Sequence, residues 1–123
     1  MFNRSARILL LDDDAAIRRL VALLLKRAGY RVDAVDKGNE AIAAVDRTRY
    51  DVILLDIMMP TEGGMTVIKH LRKRDPAALK RVILLSGAPA AVLQSVASDV
   101  FAIVNKPFEE KELLEAIKRA AKA

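Results

Sequence analysis

Along the chain, short and wholly apolar runs alternate with longer stretches in which apolar residues recur every three or four positions. The first run, Arg7-Ile8-Leu9-Leu10-Leu11, is too short for a helix and is halted by Asp12-Asp13-Asp14. That is the pattern of a strand buried on both faces, as strands of parallel sheets are. After the acids, Ile17, Leu20, Val21 and Leu24 recur at helical spacing, with Arg18, Arg19, Lys26 and Arg27 elsewhere on the cylinder and Gly29 at the C′ position. The alternation then predicts strands over Tyr30 to Val35, Val52 to Leu55 (ending in Asp56), Val82 to Leu85 (ending at Ser86) and Phe101 to Val104. It predicts helices over Asn39 to Arg47, Met65 to Lys73, Ala90 to Ala97 and Glu109 to Ala121, the last with Leu113, Leu114 and Ile117 inward. Five such strand–helix units imply one α/β domain over residues 1–123, a doubly wound five-stranded parallel sheet with helices on both faces, because right-handed crossovers return each helix over the sheet.

Composition narrows the chemistry. With 53% hydrophobic and 30% charged residues the chain resembles an ordinary folded domain rather than a disordered segment. The absence of cysteine excludes disulfides, thiolate metal sites and a cysteine nucleophile, and His70 alone builds no histidine metal cluster. Any metal is therefore a hard ion on oxygen. No apolar segment of signal-peptide form follows the basic start, and no stretch approaches membrane-spanning length, so a reducing cytoplasm and no membrane partner are expected. The net charge of +5 is spread over several helices, densest at Lys69, Arg72, Lys73, Arg74, Lys80 and Arg81, which reads as a solvated face. No recognition-helix, zinc-finger or stacking signature accompanies it, so direct nucleic-acid binding is not expected. His70, between Lys69 and Arg72, reads as an exposed histidine with no role.

In open sheets of this class ligands bind beyond the carboxyl ends of the strands. Those ends carry Asp12 and Asp13, Asp56, Ser86, and Lys106 with Pro107. Two carboxylates about 4 Å apart repel by roughly 4 kcal/mol at an effective dielectric of 20, so three at one edge call for protons or a cation. Mg²⁺ takes one or two carboxylates and keeps sites for water and phosphate oxygens. Lys106 offers a point charge for phosphate, Ser86 a hydroxyl donor, and a carboxylate beside Mg²⁺ is equipped to take a phosphoryl group. Asp14 reads as a helix N-cap.

Four motifs stand in order: Leu11-Asp12-Asp13-Asp14; Asp51-Val52-Ile53-Leu54-Leu55-Asp56-Ile57-Met58-Met59-Pro60 with Gly64; Val82-Ile83-Leu84-Leu85-Ser86-Gly87; and Asn105-Lys106-Pro107-Phe108. Together they resemble the receiver domain of bacterial two-component response regulators, from Ile8 to the last helix. The resemblance implies a flavodoxin-like fold with strand order 2-1-3-4-5 and a phosphoacceptor switch. It implies that Asp56 takes the phosphoryl group from a phosphohistidine of a kinase or phosphotransfer protein. Asp13 would bind Mg²⁺ directly, Asp12 through a water, and the Met58 backbone carbonyl would complete the protein's share with Asp56. Lys106 would pair with Asp56 and then with the phosphoryl group, Ser86 would be the switch hydroxyl, and Pro107 would follow a cis bond, which X-Pro energetics permit. The fourth helix, fifth strand and fifth helix would form the output surface, including a homodimer, and the nearly charge-free fourth helix suggests either an apolar docking face there or a short helix buried deeply on its own. Arg18 and Arg19 would meet the kinase.

Departures from the family pattern carry expectations of their own. Ile103 stands where an aromatic ring usually reads out the switch; Phe101, two residues earlier and so on the same strand face, is not expected to replace it. Gly63 stands where Asp is common, and Gly63-Gly64 should loosen the loop after Asp56. Ala15 replaces a frequent Pro with little consequence. Met58 and Ala88 flank the position of hydrolytic water in the family and cannot orient it, so the phosphoryl state should be long-lived. Two rival readings are a phosphorylation-independent scaffold, and a Mg²⁺-dependent phosphatase with an aspartyl-phosphate intermediate, for whose substrate-enclosing cap 123 residues leave little room.

Overall fold

Five-residue apolar segments become the centre of a parallel sheet because each has two faces to bury. The computed structural model describes residues 5–57, 63–87 and 90–122. Strand β1 (Arg7–Leu11) is followed by α1 (Ala15–Arg27), β2 (Arg31–Val35), α2 (Gly38–Arg47), β3 (Val52–Asp56), α3 (Gly64–Arg74), a 3₁₀ helix (Pro76–Arg81), β4 (Val82–Ser86), α4 (Ala90–Ala97), β5 (Ala102–Asn105) and α5 (Glu110–Lys122). All strands are parallel in the order β2-β1-β3-β4-β5. The doubly wound sheet expected from the alternating pattern, and the flavodoxin-like strand order that the family resemblance implies, are therefore present.

Side-chain alternation divides the core into two layers. Leu9, Leu11, Ile53, Leu55, Val82 and Leu84 face α2, α3 and α4, where they meet Ala41, Ala44, Val67, Ile68, Leu71 and Val96. Ile8, Leu10, Val52, Leu54, Ile83 and Leu85 face α1 and α5, meeting Val21, Leu25, Leu113, Ala116 and Ile117. Each fully buried aliphatic side chain contributes roughly 1.5–3 kcal/mol relative to exposure, so these two layers supply most of the stability.

Helix α1 starts where Asp14 Oδ1 accepts the amides of Ala16 (2.9 Å) and Ile17 (3.1 Å), the cap its position predicted. It stops at Gly29, whose φ of +99° closes the chain back with its own amide on Lys26 O. Its inward stripe differs from expectation: Val21 and Leu25 are buried, whereas Leu20 is 55% and Leu23 46% exposed. Apolar residues occupy more than one face of this helix, so periodicity alone could not say which face the sheet would take.

The 3₁₀ helix was not predicted. Pro76 at its first position fixes φ, and Ala78 and Leu79 are buried, but six residues are too few to show a helical period. Two aromatic residues expected to open strands precede them instead. Tyr30 donates its amide to Leu25 O at the end of α1, and Phe101 lies before β5 and packs in the α1/α5 layer, whereas Ile103 packs in the opposite one. Phe101 thus does not share a face with Ile103, because strand alternation begins only at Ala102.

Candidate functional site: an acidic edge closed by a lysine

Each polar residue of the site is held by the end of a buried strand. Asp12 follows β1 with its side chain fully buried; its amide donates to Val35 O (3.2 Å) and its Oδ1 accepts the Asp14 amide (2.9 Å). Asp56 is the last residue of β3 and 3% exposed. Asp13, beside Asp12, is exposed. One carboxylate oxygen from each of Asp12, Asp13 and Asp56 lies within 4.8 Å of the others. The register pairs Asp56 with Leu85, so buried Ser86 stands one residue further along the same edge.

Lys106 closes the edge. Its Nζ donates to Asp12 Oδ2 (3.2 Å) and lies 3.5 Å from Asp56 Oδ2, while its amide donates to Ser86 O (2.8 Å). The Lys106–Pro107 peptide bond is cis. One ammonium thus serves two buried carboxylates, and with Asp13 the site keeps a surplus of negative charge. Three hard oxygen donors converging at this spacing suit an ion such as Mg²⁺, which leaves coordination positions open for phosphate. At the rim, the Asp36 carboxyl is held below its ordinary range, chiefly by a hydrogen bond with Glu40 and further by Lys37 and Arg18.

Arg18 has a structural duty that its sequence position did not reveal: Nη1 donates to the Asp12 backbone carbonyl (2.8 Å), while Arg19 is exposed. Gly64, expected only to loosen a loop, instead presses on the site, since a Cβ there would lie 2.8 Å from Asp56 O and 3.2 Å from Leu55 Cβ. Met58 and Ala88, the positions expected to set phosphoryl lifetime, and the Met58 carbonyl expected to bind metal, lie outside the described residues.

One surface expectation is corrected. His70 is not exposed: its side chain is 18% accessible, and Nε2 lies 2.7 Å from Asp46 Oδ1, joining α3 to α2. On α4, Leu93 and Val96 are buried while Gln94, Ser95 and Ala97 are exposed. Among the α4 residues whose burial is described, the large side chains turn inward to complete the core and the outward ones are small or polar. Among the described residues no helix is long and apolar enough to cross a membrane.

Comparison with known proteins identifies the family. The response regulator receiver domain family matches residues 8–118. The transcriptional regulatory protein ResD of Bacillus subtilis is 34% identical over 94% of this chain, which spans about half (48%) of that protein. The chemotaxis protein CheY of Thermotoga maritima is 30% identical over 94% of this chain and 98% of its own length. Among solved structures, the response regulator TrrA of Thermotoga maritima, in complex with Mg²⁺ and BeF, superposes with a TM-score of 0.82 at 32% identity, covering 94% of this chain and 98% of that one.

Proposed function

The chain belongs to the response regulator receiver domain family, and from that premise we propose that Asp56 is the phosphoacceptor of a signalling switch. One observation carries the reading: Lys106 Nζ lies within 3.5 Å of Asp56 Oδ2 at an edge where two further carboxylates gather. An acid positioned for nucleophilic attack, a cation for the incoming phosphoryl oxygens and a hard-metal site form the minimum set for phosphoryl transfer, which is mostly positioning and charge neutralisation.

In this reading a phosphohistidine of a partner kinase or phosphotransfer protein approaches the edge. The phosphorus–nitrogen bond breaks, the bonding pair leaves with the histidine, and an Asp56 Oδ takes the phosphoryl group. Mg²⁺ bound by Asp12, Asp13 and Asp56 would supply positive charge to the phosphoryl oxygens. Lys106 holds Asp56 in line beforehand and then pairs with the added charge, and Ser86 donates its hydroxyl to a phosphoryl oxygen. The chain catalyses only its own phosphorylation and dephosphorylation. Arg19, with exposed Leu20 and Leu23 on α1 beside the site, presents a basic and apolar surface for the donor protein. Output passes through the α4–β5–α5 face to a downstream protein or a second copy. With Ile103 packed into the core at β5, that output does not run through an aromatic ring at this position.

Intact mass after incubation with acetyl phosphate tests the acceptor. A single phosphoryl adduct is expected, lost on removal of Mg²⁺ and in Asp56→Asn. A folded protein that takes no adduct under any condition would move the reading to a phosphorylation-independent scaffold.

A further inference from the structure

At the amino ends of the strands, opposite the acidic edge, α2, β3, α3 and the 3₁₀ helix line a pocket of about 240 Å³. Four arginines line it, Arg47, Arg49, Arg74 and Arg81, against two aspartates, Asp46 and Asp75, over an apolar floor that includes Ile53 and Leu71. From this arrangement we propose that the pocket is a binding site for a compact anion of the phosphate or pyrophosphate class.

Ordinary structural roles account for part of the cluster. Arg47 and Arg74 sit in the last turns of α2 and α3, where a cation complements the helix dipole, and Arg49 lies 3.2 Å from Asp51. Arg81 is different. It is half-buried, its Nε donates to the Tyr50 carbonyl (2.8 Å), and no carboxylate among the described residues forms an ion pair with it. Burial, and after it the charge of Arg49, weakens its hold on its proton, with Asp75 and Asp51 opposing. One of the two acids is also occupied, since Asp46 is engaged by His70. The pocket therefore holds two guanidinium groups that disfavour each other, one of them partly desolvated, beside two more at its rim. An anion bridging Arg81 and Arg49 would remove that repulsion, and the planar forks of arginine fit phosphate oxygens in pairs. The volume lies below the range of drug-sized ligand pockets, which favours a small anion or the terminal group of a larger one.

The test uses the full chain without Mg²⁺, in the presence of EDTA, so that the acidic edge has no metal ion with which to attract phosphate and its three carboxylates outnumber the Lys106 ammonium. Pyrophosphate is titrated at constant ionic strength and followed by calorimetry and by amide chemical shifts. Saturable shifts are expected at Thr48, Arg49, Asp75 and Arg81, with none at Asp13 or Lys106. Arg81→Gln should weaken binding about ten-fold, the loss of one charge-assisted hydrogen-bonding group. Because Arg81 also anchors Tyr50, the exposed Arg74→Gln serves as the second variant, with a loss of about three-fold expected. Inorganic phosphate and ADP run in parallel: weaker binding of ADP than of pyrophosphate assigns the site to the free anion, tighter binding to a nucleotide-borne diphosphate. Shifts that do not saturate, that spread over the lysines of α5, or that persist at full strength in both variants overturn the site. This outcome is independent of whether Asp56 accepts a phosphoryl group.

Discussion

At the carboxyl ends of the strands Asp12 is fully buried and Asp56 3% exposed, whereas at the amino ends Arg47, Arg49 and Arg74 stand in solvent and only Arg81 is half-buried. Both edges collect charge of one sign, but by different means. The acidic edge places Asp12 and Asp56 at the ends of buried strands, where water screens them little and Lys106 is the cation that reaches both, with exposed Asp13 beside them. The basic edge hangs its charges on helix ends and loops, where physiological salt screens exposed groups beyond a Debye length of about 8 Å. Unscreened charge can be coupled tightly to a ligand, at a cost in stability; screened charge costs the fold little. Substitutions at the two edges should therefore differ in size and even in sign.

Lys106→Met is expected to show the largest effect. Removing the ammonium leaves Asp12 and Asp56 buried without that cation, and breaking a buried pair costs roughly 3–5 kcal/mol, discounted to about 3 because the lysine is partly exposed. Chemical denaturation with and without Mg²⁺ measures it, and added Mg²⁺ should restore part of the loss. A change below about 1 kcal/mol in metal-free buffer would mean that the acidic edge is as well screened as the basic one.

Next in size is Gly64→Ala. The added Cβ must displace the β3 backbone at Asp56 or shift the start of α3, because the atom it meets at 2.8 Å is a main-chain oxygen. Overpacking of this kind costs about 1–3 kcal/mol. The effect should extend to function, lowering the rate of adduct formation from acetyl phosphate, since the strain falls on the acceptor's own peptide. Full stability with a full rate would show that the loop yields freely and that the acidic edge is not held rigidly.

Asp13→Asn should have the opposite sign. Taking one of three clustered carboxylates away relieves repulsion, and because Asp13 is exposed the gain in metal-free buffer is below about 1 kcal/mol. The same variant should lose most of the stabilisation that Mg²⁺ gives the wild type. Thermal melts at several Mg²⁺ concentrations separate the two effects, and a loss of stability without metal would contradict the repulsion on which the comparison rests.

How much of this was readable beforehand follows the same division. Asp12, Asp13, Asp56 and Lys106 could be placed from sequence because each ends an apolar run that can only be a buried strand, and parallel strands bring their carboxyl ends together. In sequence the basic edge looks like a solvated face, because its pocket is made by a 3₁₀ helix too short to show a period, by Tyr50 between two elements, and by helix ends that converge only in three dimensions. His70 illustrates the same limit, since its partner Asp46 is 24 residues away on another helix. Leu20 failed for the converse reason: α1 carries more apolar residues than one face can use, and only the packed sheet selects among them.

An effect confined to alkaline pH lies under the basic edge. Tyr50 is 2% exposed, its hydroxyl donates to Asp33 Oδ2 (2.7 Å), Arg7 lies over its ring, and Arg7 Nε is 3.3 Å from the same Asp33 oxygen. Burial, and then the hydrogen bond to Asp33, push the phenol up to about 12. In the unfolded chain a tyrosine titrates near 10, so both states hold the proton below that pH and the linkage is silent. Between about 10 and 12 the unfolded state releases its proton first, and stability falls as pH rises. Tyr50→Phe removes the hydrogen bond at a cost of about 1 kcal/mol at neutral pH, while Arg7 still pairs with Asp33, and it should flatten the decline above pH 10. Urea unfolding of both proteins at pH 7, 9 and 10.5 measures this. An equal alkaline decline in both would place its origin in the lysines that cover the surface, and the phenol would then be a packing residue whose hydroxyl is energetically neutral.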